Sequence, residues 1–516
     1  MFIFSKIEFR RNDKIRIALS GVILLSVLYG CGLQKAISDG YKGLTQAVKG
    51  QYYLDKRKYR DGMQAFQKEA QTNPEIAETH YYMGRFNLAE NHNKKALEHL
   101  KRAVTISPEK AKYHFWLGVA YAADKKLNSE RKSYLRVLEL DKGHVQALTY
   151  LGHNQLEKTT YESALKTYNR AIALWPENPS ALYNRALILK SLNRTPEERL
   201  AWKQYLRVHP SGAMSRQAVV HLNELSDFEY RNQLIGKRTV PLKRIEFETS
   251  TSVIKSTSKP TLNFLATLLK SNPGMALHIV TYQKNNKTLA EVRAKRVKKY
   301  LNRRPAGVAS SRLSVSSFGL SETIKIGKKT FMEHETVKFI ANDSAVDRES
   351  AGLRTLAQVA SAEKRAAVSA RNPDLHASAT IEFQQMAGWT LRDAKKSGDK
   401  ESIAGAQGAY DVAVTSAEET VAEALSVSVE AIRAMRHEGM AWGMVANELG
   451  VNPGVLSLVQ NKRGKRYPNT SYIGSGKRLK LQTEIKLATK RNPKSGLVPG
   501  QGLSMADGSK SKGFGL

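Results

Sequence analysis

One cysteine, Cys31, stands in 516 residues, so no internal disulfide holds this chain together. Acidic residues are scarce beside basic ones, 47 against 82, which leaves a formal net charge of +35. That imbalance points to partners of opposite sign, such as nucleic acid, acidic lipid or acidic polysaccharide, although a basic surface kept for solubility gives the same figure. No phosphate-cradling loop of the Walker type, no G-x-S-x-G and no H-E-x-x-H occurs. The 12 histidines do not cluster, and the carboxylates are scattered where solvated helix faces account for them. These absences leave no catalytic residues, no metal ligands and no cofactor to expect, and so no enzyme. The hydrophobic share of 41% and the charged share of 25% are those of an ordinary globular protein. The length exceeds a single core, so about two to four domains are expected.

What the chain does have is a beat. Gly50, Gly84, Gly118, Gly152 and Ala186 follow one another at 34 residues, as do Pro74, Pro108, Lys142, Pro176 and Pro210. A fixed period of this length means stacked helical hairpins, with small residues where two helices approach and proline where the second helix stops. Five units start near residues 43, 77, 111, 145 and 179. The second and fourth, with Met83, Gly84, Ala96, Leu100, Ala103 and Pro108, and with Leu151, Gly152, Ala164, Tyr168, Ala171 and Pro176, resemble the tetratricopeptide repeat. A solvating helix is expected after the array, around residues 215–225. The resemblance implies that the first helix of each unit lines a concave groove. The inner position carries Tyr81, Phe115, Thr149 and Tyr183, with Arg85 and His153 one turn on. Aromatics beside basic groups suit an extended peptide of a protein partner. Packing of the same rings against neighbouring helices is the competing reading. His153 has no second ligand at a metal-binding spacing.

The N-terminus carries a second signal. Arg10, Arg11, Lys14 and Arg16 precede an apolar run from Ile17 to Gly30 that is short for a membrane-spanning helix. It ends in Leu28-Tyr29-Gly30-Cys31, which resembles the lipobox of bacterial lipoproteins, with Tyr29 bulkier than the family's usual residue. The resemblance implies that Cys31 becomes an acylated N-terminus anchored in membrane. Gly32 stands where an aspartate would resemble an inner-membrane retention signal, so the outer membrane is the expected destination, facing the periplasm.

Past residue 240 the pattern alternates and breaks. Residues 245–248, 276–282, 313–318 and 336–340 read as strands, and 260–270 and 289–301 as helices, an α+β sandwich of order β-α-β-α-β-β. The string resembles the OmpA-like peptidoglycan-associating domain. That family takes a diaminopimelate side chain with a loop aspartate and a helix arginine. Here Arg293, in Leu289-Ala290-Glu291-Val292-Arg293-Ala294, stands at the arginine, but Gln283 stands at the aspartate, and His334-Glu335-Thr336 where the family shows N-R-R. The resemblance implies a degenerate peptidoglycan site built on Gln283 and Arg293, with a spacer or protein-contact role as the competitor.

The rest is alanine-rich and helical over 343–436, with runs at 352–370 and 406–436. The segment at 437–466 resembles a helix-turn-helix, with Val445, Ala446, Leu449, Gly450, Val451 and Leu456 at the motif's spacing and a second helix from Pro453. Residues 467–516 are expected to be a basic disordered tail. Lys462, Arg463, Lys465 and Arg466 are candidate contacts to an anionic polymer.

The sequence therefore predicts a multidomain chain: a lipoprotein signal and lipobox over 1–31, an all-α tetratricopeptide solenoid over 43–225, an OmpA-like sandwich over 240–342, then helices and a disordered end. The expected function is a non-enzymatic envelope lipoprotein that scaffolds a protein partner between outer membrane and cell wall. Two alternatives stand beside it: a nucleic-acid-binding regulator acting through the C-terminal segment, which an exported compartment disfavours, and a peptidoglycan anchor.

Overall fold

The computed structural model describes residues 45–303, 307–326, 328–342, 375–425, 427–438, 440–451 and 481–490. Cys31, the expected helix at 352–370, the second helix from Pro453 and the basic residues 462–466 lie outside them. The described residues fall into two units, one of residues 45–181 with 486–490 and the other of residues 182–485.

The 34-residue beat is a pair of helices in each period. Helix α1 covers residues 45–55. It is followed by α2 (Tyr59–Thr72), α3 (Ala77–Ala89), α4 (Asn93–Ile106), α5 (Ala111–Ala123), α6 (Leu127–Leu140), α7 (Val145–Glu157), α8 (Tyr161–Leu174), α9 (Pro179–Ser191) and α10 (Thr195–Val208). Gly84, Gly118 and Gly152 mark where the two helices of a unit meet, whereas Gly50 faces Tyr82 in the first helix of the next unit. A Cβ on Gly84 would lie 2.5 Å from Leu100 and one on Gly152 2.6 Å from Tyr168, each 16 residues on in the second helix. The turn within each unit has its own period: Arg57, Asn91, Lys125, Thr159 and Asn193 take a left-handed φ of 54–64°. That conformation ends the first helix and costs each of these non-glycine residues some strain. The second helices end where Asn73, Ser107 and Trp175 donate back to the carbonyls of Glu69, Ala103 and Ala171, each followed by chain that cannot continue the helix. Phe66, Phe86, Leu100, Tyr134, Tyr150 and Tyr168 are fully buried between the helices.

Helix α11 (Ala213–Glu224) stands where a solvating helix was expected, but Arg216, Val219, His221 and Leu222 are all buried. Part of the cause is the sheet that follows. Asn223 Nδ2 donates to the Tyr230 carbonyl at 2.9 Å, and Asn232 Nδ2 to the Arg216 carbonyl at 2.8 Å.

That sheet begins earlier than the sequence suggested. Strands β1 (Tyr230–Ile235) and β2 (Arg238–Lys243) form a hairpin that turns at Gly236, whose φ is 57°. Weak alternation and Pro241 hide the hairpin in the sequence, yet proline is tolerated here because β2 is the sheet edge. Residues 245–248, expected as the first strand, make a single bridge, Phe247 to Ile254, while Ile245 and Phe247 are buried as core. Helix α12 (Lys259–Ser271), strand β3 (Ala276–Gln283), helix α13 (Lys287–Asn302) and strand β4 (Leu313–Phe318) then match the expected order. A small hairpin, β5 (Glu322–Ile326) and β6 (Lys329–Glu333), precedes β7 (Glu335–Asn342). The five-stranded sheet runs β2-β1-β7-β3-β4, with β3 antiparallel to β7 and parallel to β4. Its core joins Leu262, Leu265 and Leu269 of α12 and Val297 and Leu301 of α13 to Leu277, Ile279, Leu313 and Phe339 of the sheet. The Arg231 guanidinium clasps Glu322 with two bonds of 2.6 and 2.9 Å, which ties the β5–β6 hairpin to β1.

Helices α14 (Leu375–Ser397) and α15 (Lys400–Leu425) pack along one another. The helix expected to run unbroken to residue 436 instead stops, and Ser428 caps a new one, α16 (Val429–His437), by accepting from the Ala431 N–H at 3.2 Å. Helix α17 (Trp442–Glu448) shares their core, where Trp442 Nε1 donates to Gln384 at 2.7 Å. A last helix, α18 (Leu481–Ala488), stands inside the segment expected to be disordered, with Glu484, Ile485 and Ala488 buried on one face. That buried face offsets the charge that made the segment read as unstructured. Among the described residues no helix is long and apolar enough to cross a membrane.

Candidate functional site

The expected groove column is not a free surface. Tyr81, Phe115, Thr149, His153 and Tyr183 are all buried, and only Arg85 is partly exposed. Phe115 packs on the rings of His144, Tyr134 and Tyr150. The Thr149 hydroxyl accepts from Asn178 Nδ2 at 2.9 Å and donates to the Val145 carbonyl at 2.9 Å. His153 Nδ1 lies 2.6 Å from the Tyr168 hydroxyl. Phe115 and His153 fill space between adjacent helices, as the packing reading describes. Arg85 spans the two roles: its Nη1 donates to the Tyr81 hydroxyl at 3.2 Å, and its guanidinium lies 3.9 Å over the Trp116 ring. Beside it Glu78 takes Lys112 Nζ at 2.7 Å and the Tyr113 hydroxyl at 2.5 Å. Burial, and then the Glu78 carboxylate, push the Tyr113 phenol well up.

The structure does bring Gln283 and Arg293 together. Gln283 ends β3, and its register partner on β7 is Glu335. Arg293 comes from α13, is 2% exposed, and stacks on the Phe247 ring at 4.6 Å. Its Nε donates to the Thr251 carbonyl at 2.8 Å and its Nη1 to Gln283 Oε1, with Glu335 Oε2 at 3.1 Å from Nη1. Glu335, 34% exposed on its side chain, is the residue sequence reasoning passed over. In the sequence it is only a departure from N-R-R. The β3–β7 pairing sets its carboxylate across from Gln283, so a negative charge is present after all, displaced from the loop to the neighbouring strand. Chemically this is an arginine already neutralised in place, beside a carboxylate that still meets solvent.

The helix-turn-helix resemblance ends in a turn that is spoken for. Gly450 has a φ of 76°, and its carbonyl accepts from the Thr239 N–H at 3.0 Å. Arg216 donates to the carbonyls of Asn447 and Glu448, the second at 2.9 Å, and Arg238 Nε to that of Leu449 at 3.2 Å. Two guanidinium groups on the last carbonyls of α17 complement its dipole. Burial pushes the Arg216 guanidinium down to about 10, with Glu448 acting the other way.

A third constellation had no sequence signal. Glu484 of α18 is 3% exposed, and its Oε1 accepts from the Tyr183 hydroxyl and lies 2.8 Å from His221 Nε2. The His221 ring stacks on Trp202 at 4.6 Å. Its Nδ1 lies 2.6 Å from Lys190 Nζ, and Lys190 also holds Glu224 at 2.9 Å. An ammonium only donates, so Nδ1 is the acceptor and the ring proton sits on Nε2, aimed at Glu484. Burial lowers the imidazole, while Glu224 and Glu484 raise it, and the balance is upward. Burial raises Glu224, but His221 and Lys190 more than offset that and hold it down at about 2.

Comparison with known proteins agrees with the two folds. A model described as Tetratricopeptide repeat matches residues 48–111 and 88–145, and one described as TPR repeat matches 156–193. The OmpA family model matches residues 246–331. No curated protein matches the chain. Among solved structures, MamA is 19% identical over 31% of this chain and 94% of its own, with a TM-score of 0.30. YrrB, described as a TPR protein with an unusual peptide-binding site, is 13% identical over 34% of this chain and 88% of its own, at 0.31. PilF of Pseudomonas aeruginosa is 16% identical over 37% and 86%, at 0.34.

Proposed function

Starting from a chain that carries tetratricopeptide repeats and an OmpA family domain, we propose that it is a non-catalytic scaffold of the bacterial envelope. Its repeats hold a protein partner, and its OmpA-like part holds the cell wall. Repeat arrays bind proteins because stacked hairpins offer an extended surface. The finer placement, an outer-membrane lipoprotein anchored through Cys31 and facing the periplasm, belongs to the same proposal.

The observation that carries the wall-binding half is the Arg293 cluster. A buried guanidinium with Glu335 and Gln283 at its edge suits a zwitterionic ligand: its carboxylate competes with Glu335 for Arg293, and the released Glu335 takes its ammonium. Competition of this kind weakens binding relative to a site whose arginine waits unpaired. The test is sedimentation of the purified chain with isolated peptidoglycan sacculi. Wild type is expected to co-sediment, Arg293→Ala to lose most of the bound fraction, and Gln283→Asp to gain. Sedimentation indifferent to both substitutions would remove the pocket from the proposal.

A further inference from the structure

The third constellation goes beyond a folding contact. A buried carboxylate is costly unless bonded, and Glu484 reaches only one oxygen's worth of partners: Oε2 is buried with no hydrogen-bond partner among the described residues. The receiving side is buried and packed. Tyr183 of α9, Trp202 of α10 and His221 of α11 form a continuous aromatic wall, with Tyr183–Trp202 centroids 4.9 Å apart and the His221 ring parallel to Trp202 within 13°. Lys190 fixes the imidazole from behind. Two donors, the Tyr183 hydroxyl and His221 Nε2, converge on one carboxylate oxygen. The incoming side is slight: α18 has eight residues. A helix so short does not hold itself together in water, so its order comes from what it docks on.

We propose that Tyr183 and His221 form a recognition site for the glutamate of a short amphipathic helix, that α18 is its resident occupant, and that a partner protein docks by presenting a helix of the same kind in its place. The chemistry required of that partner is read from the resident: a glutamate, with an apolar residue directly after it as at Ile485. This deepens the reading of the repeats as a protein-binding surface and rests on it. It also explains why the expected groove residue Tyr183 is not free. The resident raises the partner's apparent Kd by the reciprocal of the fraction of time the site stands vacant.

The test uses the full chain and a fluorescein-labelled peptide of residues 479–491, read by anisotropy. Glu484→Lys removes the resident's anchor, and Ile485→Asp does so independently should the first variant misfold. Both chains are expected to bind the peptide about tenfold or more tightly than wild type. A peptide carrying Glu484→Lys is expected not to bind, and adding His221→Leu to the Ile485→Asp chain to abolish binding. In wild type, saturating peptide is expected to speed amide exchange over 481–489. Equal affinity for wild-type and variant chains, or no binding to any, overturns the proposal. Peptide swapping in only as paired chains, seen as dimer by light scattering, would make the occupant a second copy and overturn the partner reading. Wall sedimentation does not involve Glu484, so its outcome stands or falls separately.

Discussion

His278, on β3, has both ring nitrogens on serine hydroxyls, Nδ1 at 2.6 Å from Ser314 and Nε2 at 3.0 Å from Ser316. One nitrogen donates and the other accepts, an arrangement that suits the neutral ring. Burial pulls the imidazole from 6.5 down to about 4. A depressed value means that the unfolded chain takes up the proton first as the medium acidifies. The stability His278 contributes is therefore whole above about 6.5 and drains away as pH falls toward 4. Urea unfolding at pH 7 and pH 4.5 is expected to show the sheet unit losing about 2 kcal/mol more in wild type than in His278→Gln. Equal losses would mean that the ring is already protonated or does not contribute. Arg293 teaches a related lesson. Its place in α13 is legible from the sequence, but the fact that Glu335 neutralises it is not, because that pairing depends on strand register.

At the scale of one helical hairpin, the periodic glycines make the sharpest claim. A methyl group on Gly152 would press within 2.6 Å of the Tyr168 ring, whose hydroxyl is fixed by His153, so the ring has little room to yield. Gly152→Ala is expected to destabilise the array by about 1–3 kcal/mol, as overpacking does. Gly405, in the exposed interior of α15, meets nothing within 4 Å, and Gly405→Ala is expected to stabilise by about 0.5–1 kcal/mol through helix propensity. Thermal melts of the pair check the sign of each. A neutral Gly152→Ala would mean that the 34-residue beat records something other than close approach. Helix boundaries were less legible than helix existence. The capping contact of Ser428 divides what composition alone reads as one long helix, because alanine-rich sequence favours helix everywhere and only a cap says where to stop.

For the whole molecule, the question is where it works. Cys31 is the only cysteine, so a lipid on it has one site and one control. Growth with labelled palmitate is expected to mark the wild-type chain in the membrane fraction and leave Cys31→Ser unlabelled and released. Label that survives the substitution, or an unlabelled wild type, would undo the anchor and with it the outer-membrane placement. Periodicity alone determined the helical repeats, and the order of elements with the spacing around Arg293 marked the OmpA-like part. Both are local patterns, written within tens of residues and enforced by burying one face of each helix or strand. The edge hairpin of β1 and β2, the burial of the groove residues, the Glu335 partner of Arg293 and the seating of Glu484 on Tyr183 and His221 were decided only in three dimensions. Each joins residues whose separation along the chain carries no signal, 263 positions in the case of His221 and Glu484. What selects such a pair is the cost of leaving a buried charge or donor unmatched, a cost that exists only once the chain has folded around it.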